Sequence, residues 1–274
     1  MSMSLAKRFI IILIILTLTT LSPLTVMAAS WELPASAQSA FNTMLSTTDS
    51  SSAATLNKRY SEVLRLQRQI AERDAKIDHI HFVNEEVIID LRKQIKQIDE
   101  DKLNKLDTQL KQTRERYKPL FTLYSALNQQ ITMANKVKNK ELSAALRSQV
   151  TSMKVAVQMA RIDVSNKVSA LQSAKSQTTQ TKKSLRNMLE ARNPIKVQIK
   201  AAKSTLSSSK KKLSSETTSF KQVVKKVEVN NTLKSLERLV LYCQQISDLK
   251  DKIYTLENKL TAIHTKVKSN IPSK

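Results

Sequence analysis

Residues 175–212 carry eleven basic side chains and a single acid, Glu190. The basic set is Lys175, Lys182, Lys183, Arg186, Arg192, Lys196, Lys200, Lys203, Lys210, Lys211 and Lys212. Like charges at helical spacing repel, each i,i+4 pair costing a few tenths of a kcal/mol. A segment that keeps them offers a polyanion many weak, salt-sensitive contacts. The plainer alternative is a solvated face that keeps the chain in solution. No Phe, Trp or Tyr interleaves with these residues. Base stacking on single strands therefore has no platform, and no specific nucleic-acid recognition is expected.

The other residues able to do chemistry are few. His79 and His81 stand near Asp78 and Glu85. Metal-binding histidines on a helix sit at i,i+4, whereas these two point to different faces. His81 and Glu85 do have that spacing but supply only two ligands, so the group reads as a polar interruption that sets the register of a seam. Cys243 is the only cysteine and lies between Val240 and Ile246 on an apolar stripe. It reads as a buried thiol acting as a small apolar residue, the alternative being an intermolecular disulfide. His264 is remote from the other two histidines. No Ser/His/Asp set, paired carboxylates or CxxC is found, so neither an enzyme nor a cofactor or metal is expected.

The elements that carry these residues are helical. The 274-residue chain has no glycine and 4% aromatic residues. Without glycine, tight turns and phosphate-cradling loops lose their usual residue. The composition predicts an all-α protein, an elongated antiparallel coiled-coil hairpin or a three-helix bundle with long helices, buried along seams. The net charge of +23 is uneven. Residues 31–118 hold 14 acids and 15 bases, residues 119–192 hold 3 and 12, and residues 193–274 hold 6 and 17.

In chain order, residues 1–28 read as a secretory signal peptide. Lys7 and Arg8 precede the apolar run 9–21, Pro23 breaks it, and Val26-Met27-Ala28 suits cleavage. An uncleaved anchor is the alternative, although the run is short for the ~20 residues a spanning helix needs. Residues 29–55 are a flexible Ser/Ala/Thr-rich leader, holding Trp31 and a short helical stretch at 35–45. Residues 56–118 form a first long, near-neutral helix with a heptad of apolar residues whose phase slips after Ile98. Its apolar set widens between Ile77 and Ile98, which implies two neighbours. Lys118-Pro119 is either a turn back, giving a three-helix bundle and slightly favoured, or a kink. Residues 119–274 form a basic helical hairpin turning at Asn193-Pro194, a capping residue followed by a helix starter. That turn pairs Leu120 with Val267, Tyr124 with Ile263, Leu127 with Leu260 and Ala160 with Val227. Leu146, Val157 and Val168 recur at eleven residues, a straight or slightly right-handed seam. The turn region, poor in apolar contacts, is expected to fray.

In general character this signal peptide with a long helical hairpin resembles the coiled-coil segment of Gram-positive peptidoglycan-hydrolase regulators, without their hydrolase domain. Its basic charge and helical arms also resemble the periplasmic basic chaperones with helical tentacles, without their β-rich body. The expectation is an exported, extracellular or envelope-associated protein held on anionic wall polymers or lipid by its basic hairpin. An adaptor for an envelope enzyme such as a peptidoglycan hydrolase, and a chaperone-like holdase, are the alternatives. Helical seams could equally serve a homo-oligomer or a protein partner.

Overall fold

The computed structural model describes residues 33–272. The signal-peptide reading of residues 1–28 and Trp31 lie outside the described residues. Among the described residues the fold is all-α, with no strand. The helices are α1 (Ala35–Thr47), α2 (Ser50–Gln97), α3 (Glu100–Lys136), α4 (Lys140–Glu190), α5 (Arg192–Lys225) and α6 (Val229–Ser269). None of them is long and apolar enough to cross a membrane. They group into two compact units, one of residues 33–80 with 198–256, the other of residues 81–197 with 257–272.

The first unit is a four-helix core. Ala37, Phe41 and Met44 of α1 fall on one face and are buried with Leu56, Val63 and Leu66 of α2. Phe220 and Val224 of α5 and Leu236, Leu239 and Cys243 of α6 complete it. The Phe41 ring lies 4.9 Å from Tyr60 and 6.4 Å from Phe220, centroid to centroid. Thirteen residues of the leader expected to be mainly mobile are thus a docked helix, which takes in the short helical stretch expected at 35–45. Its Ser/Ala/Thr composition conceals three core residues at i, i+4 and i+7. The next helix starts at Ser50, where the Asp49 carboxylate accepts the Ser52 N–H at 2.9 Å.

Between α5 and α6 the chain reverses at 226–228. Arg238 grips Glu216 with two bonds, Nε at 2.8 Å and Nη2 at 2.9 Å, and the Ser235 hydroxyl donates to the same carboxylate. Burial raises the Glu216 pKa, but these bonds outweigh it and hold the carboxyl below its usual range. With no glycine to take the left-handed position, Val227 does so at φ 56°. A β-branched residue there costs on the order of 1–2 kcal/mol. Val227→Asn should therefore stabilise the chain by about 1 kcal/mol, read as a higher denaturant midpoint with unchanged slope.

The second unit contains the hairpin α3–α4. It reverses at 137–139, with Lys138 at φ 54° and the Asn139 side chain accepting the Leu142 N–H at 3.0 Å. Leu110, Thr113, Leu127 and Ala134 of α3 are buried, and Tyr117, Leu120, Tyr124 and Ile131 are half-buried. These eight positions form one unbroken heptad that passes Pro119, which lies inside α3. The chain therefore does not turn back at Pro119. Continuity of the seam offsets the ~3 kcal/mol that proline costs in a helix, and no turn-forming residue flanks it.

The reversal expected at Asn193-Pro194 is also absent. Both residues are helical, just inside α5. Ala191, between α4 and α5, keeps right-handed helical angles. Direction is preserved through this break: Leu185 packs with Leu91, and Arg192 further on pairs with Glu85 further back. Pro194 is tolerated because the first turn of a helix has no use for its missing N–H. The pairing of Leu120 with Val267 falls with the turn. Val267 packs instead with Leu91, Ile95 and Leu185, and Leu127 with Ala134 and Leu146. Two heptad seams match at several offsets, and the symmetry chose a wrong one.

Along α4 burial repeats every seven residues, not eleven. Ser143, Val157, Leu171, Thr178 and Leu185 share one position, and Leu146, Ala160 and Ala174 the other. The slip after Ile98 is a helix break with Asp99 at φ 56°. Thr178 donates to the Asp99 carboxylate at 2.7 Å, and Lys182 Nζ to the Lys96 carbonyl at 2.8 Å. In this unit α2 meets both α4, through Leu185 and Met188, and α6, through Val267 and Ile263. Its widened apolar set has two neighbours, although Phe82 and Ile89 remain exposed.

Candidate polyanion interface

The eleven basic residues of 175–212 are not gathered at the end of a hairpin. Lys175, Lys182, Lys183 and Arg186 lie on α4, and Arg192, Lys196, Lys200, Lys203, Lys210, Lys211 and Lys212 on α5. Nine are exposed and Lys182 is half-buried. Arg192 is only 4% exposed and leaves the set. The expected frayed tip is regular helix, with Ile199, Ala202 and Ser209 buried along it.

A longer pattern organises the charge. Lys140, Arg147, Lys154, Arg161, Lys175 and Lys182 of α4 recur every seven residues, with Val168 filling the one gap. After a second gap at Leu189, Lys196 falls on the same spacing in the same unit, and Lys203 and Lys210 follow it along the sequence of α5. Each of these six basic residues on α4 sits one place after the heptad position of Leu146, Ala160 and Ala174, at the flank of the seam. That place keeps the aliphatic stem against apolar neighbours and the charge in water. From Lys140 to Lys182 the row runs about 63 Å at 1.5 Å per residue. Among the described residues none of these six forms an ion pair within 4.0 Å, though Lys175 is near enough to Asp107 to lower its pKa, after the larger effect of Lys111. The sequence signal was the seven-residue spacing itself, spread over a stretch longer than the local cluster of lysines.

The buried groups do a different job. In the second unit His81 Nδ1 lies 2.9 Å from Glu257 Oε1, and Asn84 Nδ2 donates to Glu257 Oε2 at 2.9 Å. Thr261 donates to Asn84 Oδ1 at 2.9 Å. Arg192 approaches Glu85 at 3.6 Å, while its Nε and Nη2 and both His264 nitrogens are buried without a hydrogen-bond partner. Burial lowers the Arg192 pKa, and burial together with the Arg192 charge pushes His264 down to about 4. His81 therefore pairs across to α6 rather than joining Glu85, and His79 and Asp78 are exposed. Among the described residues no three His, Cys, Asp or Glu side chains gather to hold a metal ion. The cluster fixes which turn of α6 meets which turn of α2.

In the first unit Lys250 is fully buried against Asp74, and burial lowers its pKa to about 8. Arg73 pairs with Asp251 at 2.6 Å and lies over the Tyr254 ring at 4.9 Å. Cys243 is free and fully buried, Gln67 donating towards its sulfur at 3.9 Å. Burial raises its thiol to about 11, so within the folded unit it is closed to an intermolecular disulfide. No family model, curated protein or solved structure significantly matches the chain.

Proposed function

We propose that this is an exported, non-enzymatic coiled-coil protein, held on the cell envelope by anionic polymers of the wall or by anionic lipid. The observation that carries the reading is the row from Lys140 to Lys182, regularly spaced, exposed at all of its basic residues but the half-buried Lys182, and without acidic partners within ion-pair distance among the described residues. A regular line of cations at the flank of a rigid seam suits a repeating polyanion better than a single small anion. Each contact is weak, and attachment comes from their sum. Attraction between exposed charges is screened over about 8 Å at physiological ionic strength.

Fractionation of the producing cells with a graded salt wash tests this. The protein should stay with the envelope at low salt and leave between low and moderate salt. Spontaneous release into the medium without salt would sink the reading. Retention that resists salt but is abolished by protease treatment of the envelope would point to a protein adaptor instead.

A further inference from the structure

The end of the α3–α4 hairpin combines two surface chemistries that rarely coincide. Met133, Val137 and Leu142 are 67%, 74% and 48% exposed. Lys136, Lys138 and Lys140 interleave with them and are exposed as well. The turn that presents them is well fixed. Asn139 caps α4, the Ser143 hydroxyl donates to Asn135 Oδ1 at 2.8 Å, and Leu127, Ala134 and Leu146 are buried just beneath. The exposure is therefore built into the fold: the core residues of this end are already satisfied, and these three are left outside.

The surrounding charge selects the occupant. Between residues 119 and 162 there are six basic side chains, Lys136, Lys138, Lys140, Arg147, Lys154 and Arg161, and one acid, Glu141. A protein surface complementary to this end would need an apolar centre ringed by acids. A second copy of the chain would bring the same positive field and be repelled. An anionic bilayer offers both parts at once, phosphate headgroups for the lysines and acyl chains for the apolar side chains. A surface of anionic polymer would satisfy only the lysines.

We infer that the α3–α4 turn is a lipid-insertion tip, Met133, Val137 and Leu142 entering the acyl boundary of an anionic membrane while Lys136, Lys138 and Lys140 bind its headgroups. This rests on the proposed envelope attachment but names lipid, and this turn, as one contact.

The test labels the tip. In the full chain a Val137→Cys variant is coupled to an environment-sensitive fluorophore; Cys243, buried, does not react while the chain is folded, and a Cys243→Ala background removes it altogether. The same label at Leu142→Cys guards against a misfolded first variant, with circular dichroism as the check. Phosphatidylglycerol vesicles should shift the emission to the blue, and pure phosphatidylcholine vesicles should not. Lys136→Gln, Lys138→Gln and Lys140→Gln together should weaken the shift at least tenfold, following from roughly 1 kcal/mol per lysine. An emission unchanged by phosphatidylglycerol vesicles at both label sites overturns the inference. So does a blue shift that needs no vesicles and tracks dimer formation in sedimentation, because a second copy would then cover the tip. Long-chain polyphosphate, added in parallel, reads the α4 row: if it binds while the label stays in water, envelope attachment stands and the lipid tip alone falls. If the label inserts and polyphosphate does not bind, the tip stands and attachment through the row falls.

Discussion

Replacing Phe220 with alanine should destabilise the first unit by about 3–5 kcal/mol, the range for a large aromatic removed from a closed core. Phe220 is fully buried, its ring 6.4 Å from Phe41, and it ties α5 to the Leu56, Val63 and Leu236 side chains around it. The chain has only five phenylalanines and one tryptophan, so few other side chains have the volume to fill the space left. Small neighbours such as Ala37 cannot swing in to close it. Loss on this scale is a large fraction of the roughly 5–15 kcal/mol that holds an ordinary domain together. Urea unfolding followed by circular dichroism gives the answer, with Val155→Ala, at an exposed site on α4, as a control expected within about 0.5 kcal/mol of the parent. A Phe220→Ala loss below about 1 kcal/mol would mean that α5 does not dock on α1 as described.

The same residues show what could and could not be read from the amino-acid sequence. The absence of glycine and the apolar spacing from Leu56 to Ile98 make the all-α class plain, and the phase slip after Ile98 marks a real break at Asp99. The widened apolar set at 77–98 correctly implied two neighbours. Turns were another matter. Proline is the strongest breaker in the local code, yet Pro119 and Pro194 both lie inside helices. The reversals occur at Val137-Lys138-Asn139 and at Lys226-Val227-Glu228, which contain no proline or glycine at all. Long seams overrule a local preference worth a few kcal/mol. A glycine-free chain must also take its left-handed positions from Asp99, Lys138 and Val227, two of which are residues that no turn rule would select. The wrong turn then gave the wrong pairing, because seven-residue repeats can be matched at many offsets. The basic residues were legible as a cluster. Their continuation over the length of α4 was hidden, because the eye follows density rather than period. Arg192 belonged to that cluster by sequence alone, and only the neighbours Glu85 and His264 reveal that it faces inward.

Those neighbours make stability depend on pH in a definite way. His264 is 2% exposed, and neither ring nitrogen has a hydrogen-bond partner. Burial and then the Arg192 charge favour the neutral ring; Glu85 and Glu257 act in the opposite sense and do not prevail. The folded pKa is about 4 against an ordinary 6.5. The unfolded chain therefore takes up this proton first, and stability must fall as the pH drops from 6.5 to 4. Above 6.5 both states are neutral and the contribution is flat; below 4 both are protonated and the full loss has been incurred. A difference of this size corresponds to a loss of up to about 3 kcal/mol. Carboxylates such as Glu216, bonded to Arg238, add their own losses at the acid end of the window, so the parent curve alone does not isolate the histidine. His264→Leu does. It removes two buried polar nitrogens that have no partner, so it should be at least as stable as the parent at pH 7. It should also lose most of the slope between 6.5 and 5, where the carboxylates are still ionised. Denaturant midpoints for the two proteins at intervals across that range decide the matter. Parallel curves would mean that His264 is not held neutral, and that the Arg192 side chain does not face it in solution.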